Sequence, residues 1–170
     1  MEQEVTDGGT PGVALFNGAL ETGVRAIVML DAAFPRSFDL AWLTWCDHLV
    51  VHTGDVGGPP SIHPDIPQRT GELLVRRRLV EEGINLMRRL HMIDATVSAE
   101  GVVFQAGEEA SAFVDSLRTG YAIELKMRAA WLANYLAGMS DEAMAALIAD
   151  RIGRWAVEFQ GEVGPAGSAP

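Results

Sequence analysis

The sequence is short of cysteine, of basic residues and of long hydrophobic runs, and each shortage excludes a class of protein. Cys46 is the single cysteine among 170 residues, so neither an internal disulfide nor a cysteine-based zinc site can form, which favours a reducing cytoplasm. The apolar stretches 24–30 and 128–139 are too short or too interrupted to span a membrane, which takes about 20 apolar residues. The first seven residues lack the basic and apolar regions of a signal peptide. We therefore expect a soluble cytoplasmic protein with no membrane contact.

Basic residues are outnumbered by acidic ones, 13 against 23, which gives a formal net charge of −10. Such a chain is a poor general binder of nucleic acid, because phosphate affinity comes mainly from clustered Lys and Arg. Residues 69–89 are the exception: they hold six bases and three acids, whereas the rest holds seven bases and twenty acids. The possible DNA contacts in this segment are Arg77, Arg78, Arg88 and Arg89. Glutamates four positions after the first two offset part of that charge.

Hydrophobic periodicity predicts a mainly α-helical protein with one short β-hairpin. Six helices are expected, over residues 20–33, 39–51, 71–91, 108–117, 121–137 and from just after Ser140. The hairpin strands are expected over 93–98 and 102–105, on either side of Ala99-Glu100-Gly101.

Three helices followed by a hairpin form the element order of a winged helix-turn-helix domain. We therefore expect a winged-helix-like core over residues 15–106 and a C-terminal helical extension over 107–160. The end segments 1–14 and 161–170 contain stretches rich in Gly, Pro, Ala and Ser and are predicted to be flexible tails.

No complete catalytic or metal-binding motif is found. His48 and His52 share a helix face and Asp55 follows, a spacing that could hold a metal. A zincin, however, needs glutamate directly after the first histidine, where this chain has Leu49, and no further histidine completes the site. We expect no catalytic residue, no metal and no cofactor. A metal-dependent hydrolase is the least favoured interpretation.

Two charged residues fall on helix faces that are otherwise apolar. Asp47 aligns with Leu43 and Val51, and Arg76 aligns with Val80. Because an unpaired buried charge is costly, we expect a buried ion pair between Asp47 and Arg76. Glu21 is the alternative partner of Arg76.

Four segments in order, residues 15–25, 49–55, 58–64 and 69–77, resemble the small middle component of bacterial ABC-three-component systems. Lamassu-type defence operons belong to this group. The resemblance implies a non-enzymatic adaptor, frequently winged-helix-like, that accompanies an ATPase of the SMC/Rad50 type and a separate effector, often a nuclease. Such systems abort phage or plasmid invasion. ATP hydrolysis and nucleic-acid cleavage would belong to the partners, and DNA would be reached mainly through the complex.

The resemblance also suggests roles for individual positions. Residues 54–68 contain three glycines and four prolines, and so long a turn-rich stretch is more often functional than incidental. This loop would offer a preorganised contact surface to a partner. Its candidate contact residues are His52, Ile62, His63, Ile66 and Arg69. Asn17 would cap the first helix and Glu21 would pair with Arg25 along it. The main alternative is a stand-alone winged-helix transcription regulator that binds duplex DNA.

Overall fold

Six α-helices and a three-stranded antiparallel sheet make up the described part of this computed structural model, which comprises residues 18–64, 69–99 and 101–162. For residues 69–74 and 152–162 the description is limited to the backbone. The helices are α1 (Ala19–Ala33), α2 (Leu40–Val51), α3 (Arg69–Arg89), α4 (Ala110–Ser116), α5 (Gly120–Ala137) and α6 (Asp141–Glu162). The strands are β1 (Phe38–Asp39), β2 (Ile93–Ser98) and β3 (Gly101–Ala106), and a short 3-10 helix covers Thr53–Val56.

The predicted mainly helical fold is confirmed, and the helix and hairpin bounds agree with the expected ones to within a few residues. The predicted N-terminal tail lies outside the described residues, as do residues 163–170. α6 continues through the first two residues of the expected C-terminal tail.

Capping side chains explain where two helices begin. The Asp39 carboxylate accepts a hydrogen bond of 2.7 Å from the Trp42 amide at the start of α2. The Ser140 hydroxyl accepts one of 3.1 Å from the Ala143 amide at the start of α6. Each cap satisfies an amide that the helix itself leaves without a partner.

The sheet has the order β1-β3-β2, so the predicted hairpin gains a third strand. β1 pairs Phe38 with Phe104 and Asp39 with Val103. A two-residue strand has no alternation to detect, and for that reason the sequence pattern did not reveal it. β2 lies at the edge and pairs in continuous register with β3 from Ile93 opposite Ala106 to Ser98 opposite Gly101.

α2 is a buried helix, as its nearly all-round apolar sequence predicts. Its residues 43–51 are all buried. α1 packs against α3 and α5, and the buried residues of the helices and the sheet form one hydrophobic cluster. The C-terminal helices share this core, since Leu132, Leu136 and Met144 belong to the cluster.

The backbones of α1 and α3 approach each other closely where the two helices cross. A Cβ atom built on Gly83 would lie 2.6 Å from the Gly23 nitrogen and 2.7 Å from the Ala19 oxygen. Only glycine permits such an approach. This crossing sets the position of α3, and therefore of Arg76, against the rest of the core.

None of the described helices combines the length and the apolar character needed to cross a membrane.

Candidate functional site

Three helices bring together a buried cluster of charged side chains around Asp47. Arg25 on α1 donates from Nε to Asp47 Oδ1 at 2.6 Å, and Arg76 on α3 donates from Nη1 to Asp47 Oδ2 at 2.5 Å. All three side chains are less than 8% exposed. The structure thus places Asp47 against Arg76, as expected from the sequence. It also places Arg25 against Asp47, whereas the predicted partner of Arg25 was Glu21. We call these residues the Arg25–Asp47–Arg76 triad.

The triad carries two guanidinium groups for one carboxylate. Burial alone would lower the pKa of Arg25. The charge of Asp47 and the hydrogen bonds to Asp47 and Tyr121 raise this pKa by more than burial lowers it, so the net shift is upward. Arg25 therefore stays charged at every physiological pH. Tyr121, at the start of α5, is the neighbour that connects the triad to the surface. Its own pKa is raised by burial, partly offset by Arg25.

Three of the four histidines cluster next to the triad. The rings of His48 and His52 stack with centroids 4.5 Å apart, and the ring of His63 meets that of His52 edge-on at 6.1 Å. His63 Nε2 and the Tyr121 hydroxyl share a hydrogen bond of 3.0 Å. His48 Nε2 lies 3.2 Å from Asp55 Oδ2. A continuous series of polar side chains therefore runs from Asp55 through the histidines and Tyr121 to the triad.

The histidine geometry does not suit a metal. The lone pairs of an imidazole lie in the ring plane, and two rings stacked at an interplanar angle of 26° do not direct them to a common point. Across the described residues, no three His, Cys, Asp or Glu side chains are grouped so as to hold an ion. The observed arrangement is instead a stacked aromatic pair within a hydrogen-bonded core.

The loop after α2 is held in place by hydrogen bonds to main-chain carbonyl groups. The Thr53 hydroxyl donates to the Pro59 carbonyl at 2.7 Å, and the amides of Ile62 and His63 donate to the Val51 carbonyl at 2.9 and 3.1 Å. Arg128 on α5 donates to the Pro60 carbonyl at 3.0 Å. The described part of the loop is thus held by hydrogen bonds within itself and to α2 and α5. Its role as a preorganised contact surface stays a prediction.

The exposure of the predicted contact residues differs from the expectation. His52 is only 2% exposed, so it does not belong to a contact surface; it is buried because it stacks on His48 inside the core. Ile62 is half-buried and packs against the hydrophobic cluster. His63 is half-buried and bonded to Tyr121. Ile66 and the side chain of Arg69 lie outside the described residues. The exposed residues in the described part of this loop are Gly54, Gly57, Pro60 and Pro64.

The four candidate DNA-contact arginines are all exposed on α3. Arg78 Nε donates to Glu82 Oε1 at 3.0 Å, which is one of the two pairs expected from the four-residue spacing. Arg77 and Arg88 line a groove between α3 and β3, and Arg88 and Arg89 line a second groove between α3 and β2. The four arginines thus lie on the solvent-facing side of α3, next to two different grooves.

Two members of the polar cluster were not predicted from the sequence, namely Arg25 as a triad residue and Tyr121. A signal for Arg25 was present: it directly precedes residues 26–30, all of which are apolar and buried, and a lone charge in a buried run requires a partner. Tyr121 carried no such signal, because its role depends on where α5 packs.

Comparison with known proteins gives a family match over most of the chain. A family model described as ABC-three component (ABC-3C) system Middle Component 2 matches residues 15–158. No curated protein and no solved structure matches the chain. The matched range includes the triad, the histidine cluster and the sheet.

Proposed function

The chain belongs to the Middle Component 2 family of ABC-three component systems, and from this premise we propose that it is a non-enzymatic adaptor. Membership means that it acts together with the other components of such a system. In the proposed role it links an ABC ATPase of the SMC/Rad50 type to an effector, often a nuclease, in cytoplasmic defence against phages or plasmids. The family match over residues 15–158 is the observation that carries the proposal.

The polar cluster supports an adaptor because its groups bond to one another. Asp47 accepts from both arginines, and His63 bonds to Tyr121. The side chains of the triad are also less than 8% exposed, whereas a catalytic centre opens its reactive groups to a cleft that admits substrate. We assign the cluster the role of fixing α1, α2, α3 and α5 against one another, so that the surface loops keep one shape.

The element order supports a winged-helix-like core. A helix, a short strand, two helices and a hairpin follow one another, and the short strand pairs with the second hairpin strand. In this interpretation α3 occupies the place of the recognition helix and the hairpin that of the wing.

Co-expression tests the proposal. The tagged chain is produced with the ABC ATPase and the effector encoded beside it, and the affinity-purified material is resolved by size-exclusion chromatography. We expect the ATPase to co-elute with the tagged chain. A chain that elutes alone in every combination contradicts the adaptor role.

The four exposed arginines of α3 favour a second candidate, a stand-alone DNA-binding regulator. It is distinguished by measuring the fluorescence anisotropy of a labelled DNA duplex with the chain alone at two salt concentrations. The adaptor role predicts weak binding, since the net charge is −10. Tight binding that falls steeply with salt would support the regulator instead.

A further inference from the structure

β2 has an open edge. It is the outermost strand in the order β1-β3-β2, so one side of its backbone has no strand partner among the described residues. Its last three residues are exposed, and Val97 is 80% exposed. An unprotected strand edge offers a row of amide and carbonyl groups to another chain.

The register identifies which backbone groups face outward. The Gly107 amide donates to the Met92 carbonyl at 2.9 Å, and this pair continues the register of β2 and β3. Because antiparallel pairs alternate between bonded and non-bonded, the even-numbered residues of β2 direct their backbone groups toward β3. The N–H and C=O groups of Ile93, Ala95 and Val97 therefore point to the open edge.

Of the devices that normally block strand addition, this edge has a single charged side chain, Asp94. β2 has the sequence Ile-Asp-Ala-Thr-Val-Ser, without proline or lysine. Its pairing with β3 is continuous over six residues and contains no bulge. Proteins that keep an edge strand free of partners usually use at least one of these devices. Without proline, lysine or a bulge, the backbone of β2 stays accessible to an added strand.

A groove of about 740 Å³ runs beside this edge, between β2 and the last turns of α3. It is lined by Ile93, Asp94 and Ala95, three consecutive residues whose side chains alternate between the two faces of the sheet. The groove therefore follows the strand edge and has room for an added strand.

The charge in the groove selects the occupant. Glu82 pairs with Arg78 at 3.0 Å, whereas the side chains of Arg88 and Arg89 form no ion pair or hydrogen bond within the described residues. Asp94 on the opposite wall offsets one of these two charges. Two exposed guanidinium groups beside an open strand edge suit an extended segment that carries an acidic side chain.

We infer that the open edge of β2 is a docking site for an extended acidic segment of a companion component. The segment adds to the sheet as a fourth strand and places a carboxylate beside Arg88 and Arg89. The inference rests on the proposed adaptor role. DNA suits the site less well, since residues 93–106 contain two acids and no base.

The first test blocks the edge. Val97→Pro removes an outward N–H and leaves the bonds to β3 in place, and Val97→Thr retains the N–H as its matched control. Both variants are co-expressed with the companion components, and their folding is checked by thermal unfolding. We expect Val97→Pro to lower the amount of co-purified companion about ten-fold, because the variant loses at least one well-made hydrogen bond to the companion. Val97→Thr should retain it.

The second test inverts the groove charge and does not depend on the fold of β2. The double variant Arg88→Glu with Arg89→Glu is compared with Arg77→Glu with Arg118→Glu, two exposed arginines that do not line this groove. We expect only the first pair to lose the companion. Hydrogen exchange measured by mass spectrometry should show protection of residues 93–98 in the wild-type complex relative to the free chain.

Several results would overturn the inference. If the wild-type chain retains its companions and both sets of variants do as well, the edge is not the docking site, although the adaptor role stands. If no companion co-purifies with the wild type, both proposals fail. A wild-type dimer that Val97→Pro converts to a monomer identifies a second copy as the occupant. Duplex DNA binding lost on charge inversion but kept by Val97→Pro assigns the arginines to DNA.

Discussion

Arg25 donates to both carboxylate oxygens of Asp47, and Arg76 donates to one of them and to the Asp47 main-chain carbonyl. The carboxylate therefore holds three helices at a single point. A buried ion pair is weak evidence that the folded state is stabilised. Removal of one partner is nevertheless costly, because it leaves the other charges unpaired in a low-dielectric interior. In this triad the loss of Asp47 would leave two guanidinium groups facing each other.

Asp47→Asn should lower the free energy of unfolding by about 3–5 kcal/mol, because it leaves the two buried arginines without a counter-charge. Urea unfolding followed by circular dichroism measures the change. Asp94→Asn, at an exposed position of β2, is the control and should change stability by no more than about 0.5 kcal/mol. Equal effects of the two substitutions would show that the triad has no structural role.

Cys46 should be unreactive in the folded chain. Its thiol is 1% exposed, and burial raises its pKa to about 12, so that almost no thiolate is present near neutral pH. We expect iodoacetamide at pH 8 to label Cys46 only after guanidinium unfolding, as read by intact mass. Rapid stoichiometric labelling of the native chain would contradict this.

At the scale of elements, the contact of α1 with α3 determines the position of the polar cluster. Gly23 and Gly83 let the two helix backbones touch, and this close approach keeps Arg76 within reach of Asp47. The loop after α2 depends on a different helix, since Arg128 of α5 holds the Pro60 carbonyl. The site is therefore a property of helix packing more than of any one segment.

Gly83→Ala should destabilise the fold by about 1–3 kcal/mol, although alanine is the better helix former, because the new methyl group would meet backbone atoms of α1 that cannot move aside. Thermal unfolding measures the shift. Gly120→Ala, whose added methyl would meet nothing within 4 Å, serves as the matched control and should be neutral or slightly stabilising. If Gly83→Ala unfolds at the wild-type temperature, the helix contact is looser than described.

At the scale of the whole molecule, the formal net charge of −10 is unevenly distributed. The interior holds a positive triad, the exposed face of α3 holds four arginines, and acidic residues dominate elsewhere. Such a distribution creates repulsion among surface carboxylates. Asp31 is one example, since burial and the charge of Asp115 together raise its pKa.

A raised carboxyl pKa means that the folded chain binds the proton more tightly than the unfolded chain does. The contribution of protonated Asp31 to the free energy of unfolding is therefore largest at low pH, and it is lost as the pH rises through the raised pKa. Asp31→Asn should raise the melting temperature slightly at pH 7, and the difference should vanish near pH 3. Calorimetry at the two pH values checks this. A pH-independent difference would point to a cause other than charge.

The amino-acid pattern by itself determined the helices, the hairpin and the existence of a buried charge pair. These follow from local rules: apolar periodicity marks the buried face, Asp39 and Ser140 mark helix starts, and a charge on an apolar face needs a partner. The ordered motifs also indicated the family to which the chain belongs. The helix, hairpin and buried-charge inferences use residues close together in the sequence, and the family inference uses the order of short segments along it.

Tertiary structure alone decided which distant residues meet. It added Arg25 and Tyr121 to the cluster, buried His52, supplied β1 and left the edge of β2 open. The physical reason is that burial and pairing depend on how helices pack, and packing is governed by contacts between segments far apart in the chain. The Gly23–Gly83 crossing shows this dependence, because neither glycine indicates by itself that the other lies against it.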